Sequence, residues 1–251
     1  MSRARTAFGL VVAVLLATPS CGTAGAVRAT AGSPSTTTTS TTTTSTTTTT
    51  RPVAQPATTT APAPLPLAPR PVTEQAWTPF ATVGPLTLTH PASRVERIGF
   101  HQSTHDGAQE LTALPSAAPS LTLEDRQRDT GGRTAADVVV DPDTQIRAPV
   151  TGRVKRAGTY VLYCKHSDDY VVIEPDDRPG WEVKILHIDG VRVRPGNRVV
   201  AGQTVLAPRA TPLPFESQVD KVRTVDPAWP HVHIEVVDPS IPDRPSPNPC
   251  T

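Results

Sequence analysis

The stretch HVHIEV, residues 231–236, decides the fold that we predict for this chain. Its polar and aliphatic residues alternate strictly, which is the pattern of a β-strand with one buried face. On such a strand His231, His233 and Glu235 point to the same side, because successive side chains point to opposite faces of a sheet. Two imidazoles on one strand face can serve one small site, since histidine is both a common zinc ligand and a common general base. A solvated strand face is the alternative interpretation.

Short apolar and β-branched runs precede this stretch, and Gly, Pro and Asp residues separate them. Their spacing is typical of an antiparallel sandwich or barrel. No window has a convincing helical period, although residues 110–114 could form one turn. The sequence therefore predicts an all-β, antiparallel fold with strand candidates at 86–89, 95–100, 138–140, 160–164, 170–174, 181–187, 191–194 and 199–206.

The N-terminus has the sequence pattern of an export signal. Two arginines precede the apolar run 8–17, which is too short to span a bilayer but typical of a signal peptide. The sequence before Cys21 resembles a lipobox, in which the cysteine becomes the lipidated first residue, whereas AGA at 24–26 fits an ordinary signal-peptidase site. We expect a signal peptide at 1–20 and a lipid anchor at Cys21, with complete secretion as the alternative.

A low-complexity segment follows the export signal. Thr, Ser, Pro and Ala fill most of residues 33–71, and the whole chain of 251 residues contains 29 prolines. A segment with so little apolar surface cannot offset the entropy lost on ordering. We predict a disordered, lipid-anchored linker at 21–75, an extension of unknown role at 76–125 and a β domain at 126–251. The protein is expected outside the cytoplasm, anchored to the membrane or exposed at the cell surface.

Two cysteines remain after Cys21, namely Cys164 and Cys250. Export places them in an oxidising compartment, which favours a disulfide between them. Two separate thiols are the alternative, because sequence does not report the geometry that a disulfide needs.

Residues 133–237 resemble, in the same order, the motifs of the LytM/lysostaphin-type zinc peptidases. HVHIEV at 231–236 is similar to the HLHFE-type strand of that family, and KILHI at 184–188 is similar to its Y-x-H-L strand. VRPGNRVVAGQ at 193–203 resembles its V-x-x-G-x-x-V-x-x-G-Q segment, while RTAAD at 133–137 stands where the family has H-x-G-x-D. The resemblance implies a LytM-like β-sheet and an enzyme class that cleaves peptide cross-links of peptidoglycan with zinc.

The resemblance also implies a role for each matching residue. Asp137 and His233 fall on two zinc-ligand positions, and His187 and His231 fall on positions that assist catalysis. Arg133 stands at the first ligand position, and its guanidinium has no lone pair for a metal. Because a hydrolytic zinc site uses three protein ligands, we expect zinc to bind weakly or not at all, and Arg133 to pair with Asp137. Three more positions depart from the family pattern: Ala135, Asp143 and Ile185.

Two upstream histidines could replace the lost ligand. His101 and His105 have no other role in the sequence, and either could supply a third donor. The residues between them do not favour the helix that an H-x3-H metal pair requires, so surface-loop histidines are the favoured interpretation. His90 and His166 are expected to be solvated.

Three classes of function remain open. The favoured one is a non-catalytic LytM-like envelope protein that binds peptidoglycan or regulates cell-wall hydrolases. The alternative is a zinc metalloendopeptidase with an unusual ligand set, and a passive structural or surface-display role is the third. Nucleic acid is not expected as a partner, because the net charge is only +1 and no basic helix is visible.

Overall fold

The computed structural model describes residues 69–74 and 77–244, which fall within one compact unit, residues 62–251. Strands make up nearly all regular structure in this part of the chain, together with one short 3₁₀ helix at Val219–Val222. The strands are β1 (Thr73–Glu74), β2 (Pro79–Val83), β3 (Leu86–Thr89), β4 (Arg94–His101), β5 (Thr112–Ala113), β6 (Ser120–Thr122), β7 (Ala135–Val140), β8 (Ile146–Arg147), β9 (Gly152–Leu162), β10 (His166–Pro175), β11 (Glu182–Asp189), β12 (Arg198–Val199), β13 (Val205–Ala207), β14 (Arg209–Ala210) and β15 (His231–Val237).

One large sheet contains ten of the described strands. Its main path runs β1-β4-β7-β15-β11-β10-β9-β12, with β6 paired to β4 and β14 paired to β11. The neighbours are antiparallel except for β4 and β6, which run parallel. Smaller sheets are formed by β3-β2-β5 and by β13-β8. This architecture confirms the predicted all-β, antiparallel class.

The two faces of the large sheet differ in chemistry. On β15, Val232, Ile234 and Val236 are fully buried in the hydrophobic core. The alternate residues of the same strand, His231, His233 and Glu235, therefore lie on the opposite face, as their spacing predicted. Polar side chains of neighbouring strands occupy that same face, so one side of the sheet packs and the other side carries the polar cluster.

The segment 76–125, predicted to be an extension, is part of this fold. Its longest strand, β4, lies in the large sheet between β1 and β7. Phe80 and Leu88, from the three-stranded sheet, belong to the same buried cluster as Ile234 of β15. The predicted boundary at 125 therefore does not divide the described structure, and β1 already begins inside the predicted linker 21–75.

Four local predictions were wrong. Residues 110–114 contain β5 rather than a helical turn, residues 191–194 form no strand, and the predicted strand 199–206 is interrupted by a turn between β12 and β13. His90 is fully buried rather than solvated, with its Nε2 2.8 Å from the Ser116 hydroxyl oxygen. Burial lowers the pKa of His90 to about 4, so this imidazole is neutral at neutral pH.

The signal peptide, Cys21 and Cys250 lie outside the described residues, so the predictions about them stay predictions. Cys164 lies in the turn between β9 and β10 and is disulfide-bonded, but its predicted pairing with Cys250 is not tested by the described residues. Within the described part of the chain, no helix has the length and apolar character needed to cross a membrane.

Candidate metal centre

Three adjacent strands bring two histidines and a carboxylate together. Asp137 of β7 lies opposite His233 of β15 on one side and opposite Gly99 of β4 on the other. His101, the last residue of β4, lies on the same face as Gly99, two residues away. One ligand atom from each of His101, Asp137 and His233 lies within 4.8 Å of the others, so this group could hold a metal ion.

Asp137 is the centre of the cluster. One of its oxygens, Oδ1, lies 2.9 Å from Nδ1 of His233 and 3.1 Å from Nε2 of His101. The other oxygen, Oδ2, lies 3.8 Å from Nε2 of His231. Burial alone would raise the pKa of the Asp137 carboxyl, but these three imidazoles hold it well below its usual range. The carboxylate is therefore ionised and offers negative charge to a cation.

The tautomer of His101 leaves a buried lone pair beside this carboxylate. Nδ1 of His101 lies 2.9 Å from the carbonyl oxygen of Gln102, which can only accept, so Nδ1 carries the hydrogen. In the neutral ring, Nε2 is then an acceptor. It is buried without a hydrogen bond, because its 3.1 Å contact with Asp137 lacks hydrogen-bond alignment and joins two acceptors. Either a proton on Nε2 or a metal ion between the two atoms resolves this conflict, so the residues present fit a metal ion.

His233 lies between two carboxylates. Its Nδ1 faces Asp137, and its Nε2 lies 3.7 Å from Oε2 of Glu235. Glu235 is itself held by the Ser103 hydroxyl, which donates to it at 2.5 Å, and by Lys184 at 2.9 Å. Burial alone would lower the pKa of His233, but the two carboxylates raise it to about 10. Without a metal this ring holds a proton, and a bound metal ion would displace the proton on Nδ1.

His187 reaches the cluster through a β-bulge. Tyr170 of β10 pairs with Leu186 and Asp169 pairs with Ile188, so His187 is an extra residue on β11. Its φ of +61° is rare for a residue with a side chain. Regular alternation after Leu186 would send His187 to the core face, whereas the bulge turns it to the polar face. Its ring centroid lies 5.1 Å from that of His231 and 5.9 Å from that of His233.

Sequence reasoning missed two residues behind His187. Nδ1 of His187 lies 2.7 Å from Oδ2 of Asp168, and the same oxygen accepts the Tyr160 hydroxyl at 2.7 Å. Burial alone would raise the pKa of Asp168, but its bonds to His187 and Tyr160 lower it. Acidic residues in strands carry no distinctive sequence signal, and only the pairing of β9, β10 and β11 brings these three side chains together.

His231 is a buried imidazole at the edge of the same cluster. Its pKa is lowered to about 4, chiefly by burial, and only partly offset by Asp137. The ring is therefore neutral at neutral pH and can accept a proton.

A cleft of about 600 Å³ opens over this face of the sheet. It is lined by all four residues predicted for the site, Asp137, His187, His231 and His233, together with His101. The side chains around it include aromatic rings and charges of both signs. The structure therefore brings the predicted site together and adds His101 to it.

Arg133 is not at this site. Its Nε donates to the Thr122 hydroxyl at 2.9 Å, and its guanidinium carbon lies 5.8 Å from the ring centroid of Phe100. The predicted pairing of Arg133 with Asp137 is wrong, because His101 occupies the place beside that carboxylate. His105 also lies apart, since its Nδ1 accepts the backbone N–H of Gly107 at 3.0 Å. Extending the predicted strand 95–100 by one residue would have placed His101 at a strand end rather than in a surface loop.

Fold and site together define an all-β protein with a buried histidine–carboxylate cluster that can hold a metal ion. No family model matches this chain, and neither curated proteins nor solved structures match it. Function must therefore be inferred from the site geometry and from the motif resemblance of residues 133–237.

Proposed function

We propose that this chain is a zinc-dependent peptidase of the LytM/lysostaphin type. One observation carries the proposal: the buried lone pair of His101 Nε2 faces the Asp137 carboxylate, with His233 Nδ1 on the same oxygen. Two imidazole nitrogens and one carboxylate oxygen are a ligand set of hydrolytic zinc sites, which leave a fourth position open. His101 thus supplies the donor whose absence was inferred from Arg133, and the reason for expecting weak zinc binding no longer holds.

The groups behind the ligands support the same assignment. A histidine that binds a metal usually donates its other ring N–H to a carbonyl or a carboxylate, which fixes its tautomer and orientation. His101 does so toward the Gln102 carbonyl oxygen at 2.9 Å. Nε2 of His233 faces the Glu235 carboxylate at 3.7 Å. Each ring therefore points a nitrogen that can bind a metal ion toward Asp137: Nε2 of His101 and Nδ1 of His233.

His187 and His231 are the residues proposed to move protons. Both line the cleft beside the ligand set, and neither is part of the His101–Asp137–His233 group. Their rings lie 5.1 Å apart, so both can reach one reacting group. Peptide hydrolysis needs a proton acceptor for the attacking water and a proton donor for the leaving amine. When bound, zinc supplies Lewis acidity to the substrate carbonyl and to a water molecule.

The proposed substrates are the peptide cross-links of peptidoglycan. Two features support this class: the motif resemblance of residues 133–237 and the export signal predicted at 1–20. The cleft of about 600 Å³ falls in the usual range of ligand sites, roughly 300–1,000 Å³. Charges of both signs around it, such as Arg126 and Glu216, suit a peptide that carries amino and carboxyl groups.

The test is digestion of purified peptidoglycan by the full chain. We expect release of peptides with new amino groups, loss of this activity in a chelator and its return with added Zn²⁺. His187→Ala and His231→Ala should still bind zinc but should not release peptides. His105→Ala is the matched control, because His105 is a histidine outside the His101–Asp137–His233 group, and it should keep full activity.

An intact cell wall in the presence of the zinc-loaded chain would contradict the proposal. Sedimentation of that inactive chain with the wall would then favour the non-catalytic binding protein.

A further inference from the structure

Asp168 is a buried carboxylate that the proposed zinc site does not use. Its side chain is almost completely covered, and a buried charge is costly unless donors surround it. One oxygen, Oδ2, accepts three hydrogen bonds. They come from Nδ1 of His187 at 2.7 Å, from the backbone N–H of His187 at 3.2 Å and from the Tyr160 hydroxyl at 2.7 Å.

These contacts determine the tautomer of His187. An ionised carboxylate only accepts hydrogen bonds, so the hydrogen of the His187 ring must lie on Nδ1. Both the ring and the backbone of His187 are bonded on the Asp168 side, and the ring lines the cleft. Nε2, on the opposite side of the ring, is left with a lone pair for a ligand in the cleft.

The contact between His187 and Asp168 depends on the β-bulge at His187. Because His187 is the extra residue of the bulge, its N–H is available to Asp168 instead of joining the regular sheet. Tyr160 lies directly opposite Asp168 on the neighbouring strand and donates to the same oxygen. The carboxylate is thus held from two strands, which limits rotation of the group that orients the imidazole.

We infer that Asp168 is a positioning residue, which fixes His187 in the Nδ1–H tautomer and thereby makes Nε2 the proton acceptor of the site. The catalytic part of this inference rests on the proposed peptidase function, whereas the tautomer does not. Tyr160 donates its hydroxyl hydrogen to Asp168, whereas its oxygen lies 3.4 Å from Nδ1 of His187, so its main role is to steady Asp168. A carboxylate that orients a catalytic histidine acts in this way in hydrolases of unrelated folds.

Nitrogen NMR of the full chain labelled with ¹⁵N-histidine tests the tautomer directly. In the wild type, we expect the hydrogen of the neutral His187 ring on Nδ1 and a bare Nε2. Asp168→Asn should move that hydrogen to Nε2 in part or completely, because an amide can donate to Nδ1. Tyr160→Phe should leave the tautomer unchanged, since the His187–Asp168 bond remains. Asp169→Asn is the matched control, because Asp169 lies on the opposite face and contacts Thr159 and Gly190 instead.

The activity measurement completes the test. Asp168→Asn should lower kcat by at least about 10-fold with zinc affinity unchanged, because loss of a carboxylate that sets the tautomer of a catalytic histidine is costly. A wild-type ring with its hydrogen on Nε2, or an Asp168→Asn variant with the wild-type tautomer, would overturn the inference, whether or not the variant is active. A wild type that hydrolyses nothing refutes the proposed function alone, because the NMR result still decides whether Asp168 sets the tautomer. If Asp168→Asn does not fold, the wild-type spectrum alone makes that decision.

Discussion

Asp137 and Asp168 are two carboxylates with the same degree of burial and very different surroundings. Each is 4% exposed, and both lie on the polar face of the large sheet beside histidines. Asp137 is approached by ring nitrogens of three histidines, one of which is a buried nitrogen without a hydrogen bond. Oδ2 of Asp168 is approached by a ring N–H, a backbone N–H and a hydroxyl, which are all donors.

The difference lies in the partners and not in burial. A carboxylate oxygen whose contacts are all donors, such as Oδ2 of Asp168, is already satisfied, so it is suited to holding a side chain in place. Oδ1 of Asp137 instead faces the buried Nε2 of His101, which has no hydrogen bond, so this carboxylate is suited to a cation. We therefore expect Asp137 to bind the metal ion and Asp168 to position His187.

The largest expected effect is the loss of zinc binding in Asp137→Asn. The amide keeps the shape of the side chain but removes the negative charge of the ligand set, so zinc affinity should fall by more than about 100-fold, beyond the cost of changing an outer partner. Asp168→Asn makes the same chemical change on the same face and should keep the wild-type affinity. Both are measured by Zn²⁺ competition with a chromophoric chelator. Equal losses in the two variants would show that the carboxylates do not have separate roles.

His101→Ala should have the second largest effect. Among the described residues of the cluster, it removes the one nitrogen that is buried without a hydrogen bond. Because this nitrogen is the proposed third ligand, zinc affinity should again fall by more than about 100-fold. His105→Ala changes a histidine outside the cluster, whose Nδ1 accepts the Gly107 N–H, and it should bind zinc like the wild type. Unchanged zinc binding in His101→Ala would return the site to the two-ligand arrangement expected from the sequence.

Zinc affinity should rise with pH. The pKa of His233 is raised to about 10 in the metal-free site, so below that pH a proton and the metal ion compete for its Nδ1. As pH rises, the proton leaves more easily, and affinity should increase by up to about tenfold per pH unit for each proton displaced. The measurement is Zn²⁺ titration between pH 6 and 8 in buffers of different ionisation enthalpy, since these report the protons released. An affinity independent of pH would mean that His233 is not a ligand.

The sequence predicted the parts of this site that lie within single strands. Alternation in HVHIEV placed His231 and His233 on one face, and the structure has them there. His101 was left open because its partner Asp137 is on another strand, and pairing between distant segments has no local signal. Asp168 could not be found because a bulge brings His187 to it, and regular alternation would have placed His187 on the core face. Local periodicity thus predicts faces, whereas register and bulges decide which side chains meet.

The smallest expected effect on zinc affinity is that of replacing Arg133, which the sequence analysis placed at the first ligand position. If Arg133 filled a lost ligand position, Arg133→His would restore a third ligand and raise zinc affinity. In the structure, Arg133 is exposed, donates to Thr122 and lies over Phe100, while His101 stands beside Asp137. Arg133→His and Arg133→Ala should therefore both leave zinc affinity unchanged. Loss of the contact with Phe100 should lower the free energy of unfolding by no more than about 1 kcal/mol, the range of an exposed cation–π pair. Zinc titration and urea unfolding of the two variants measure both quantities, and a more than tenfold gain in affinity for Arg133→His alone would place Arg133 at the metal after all.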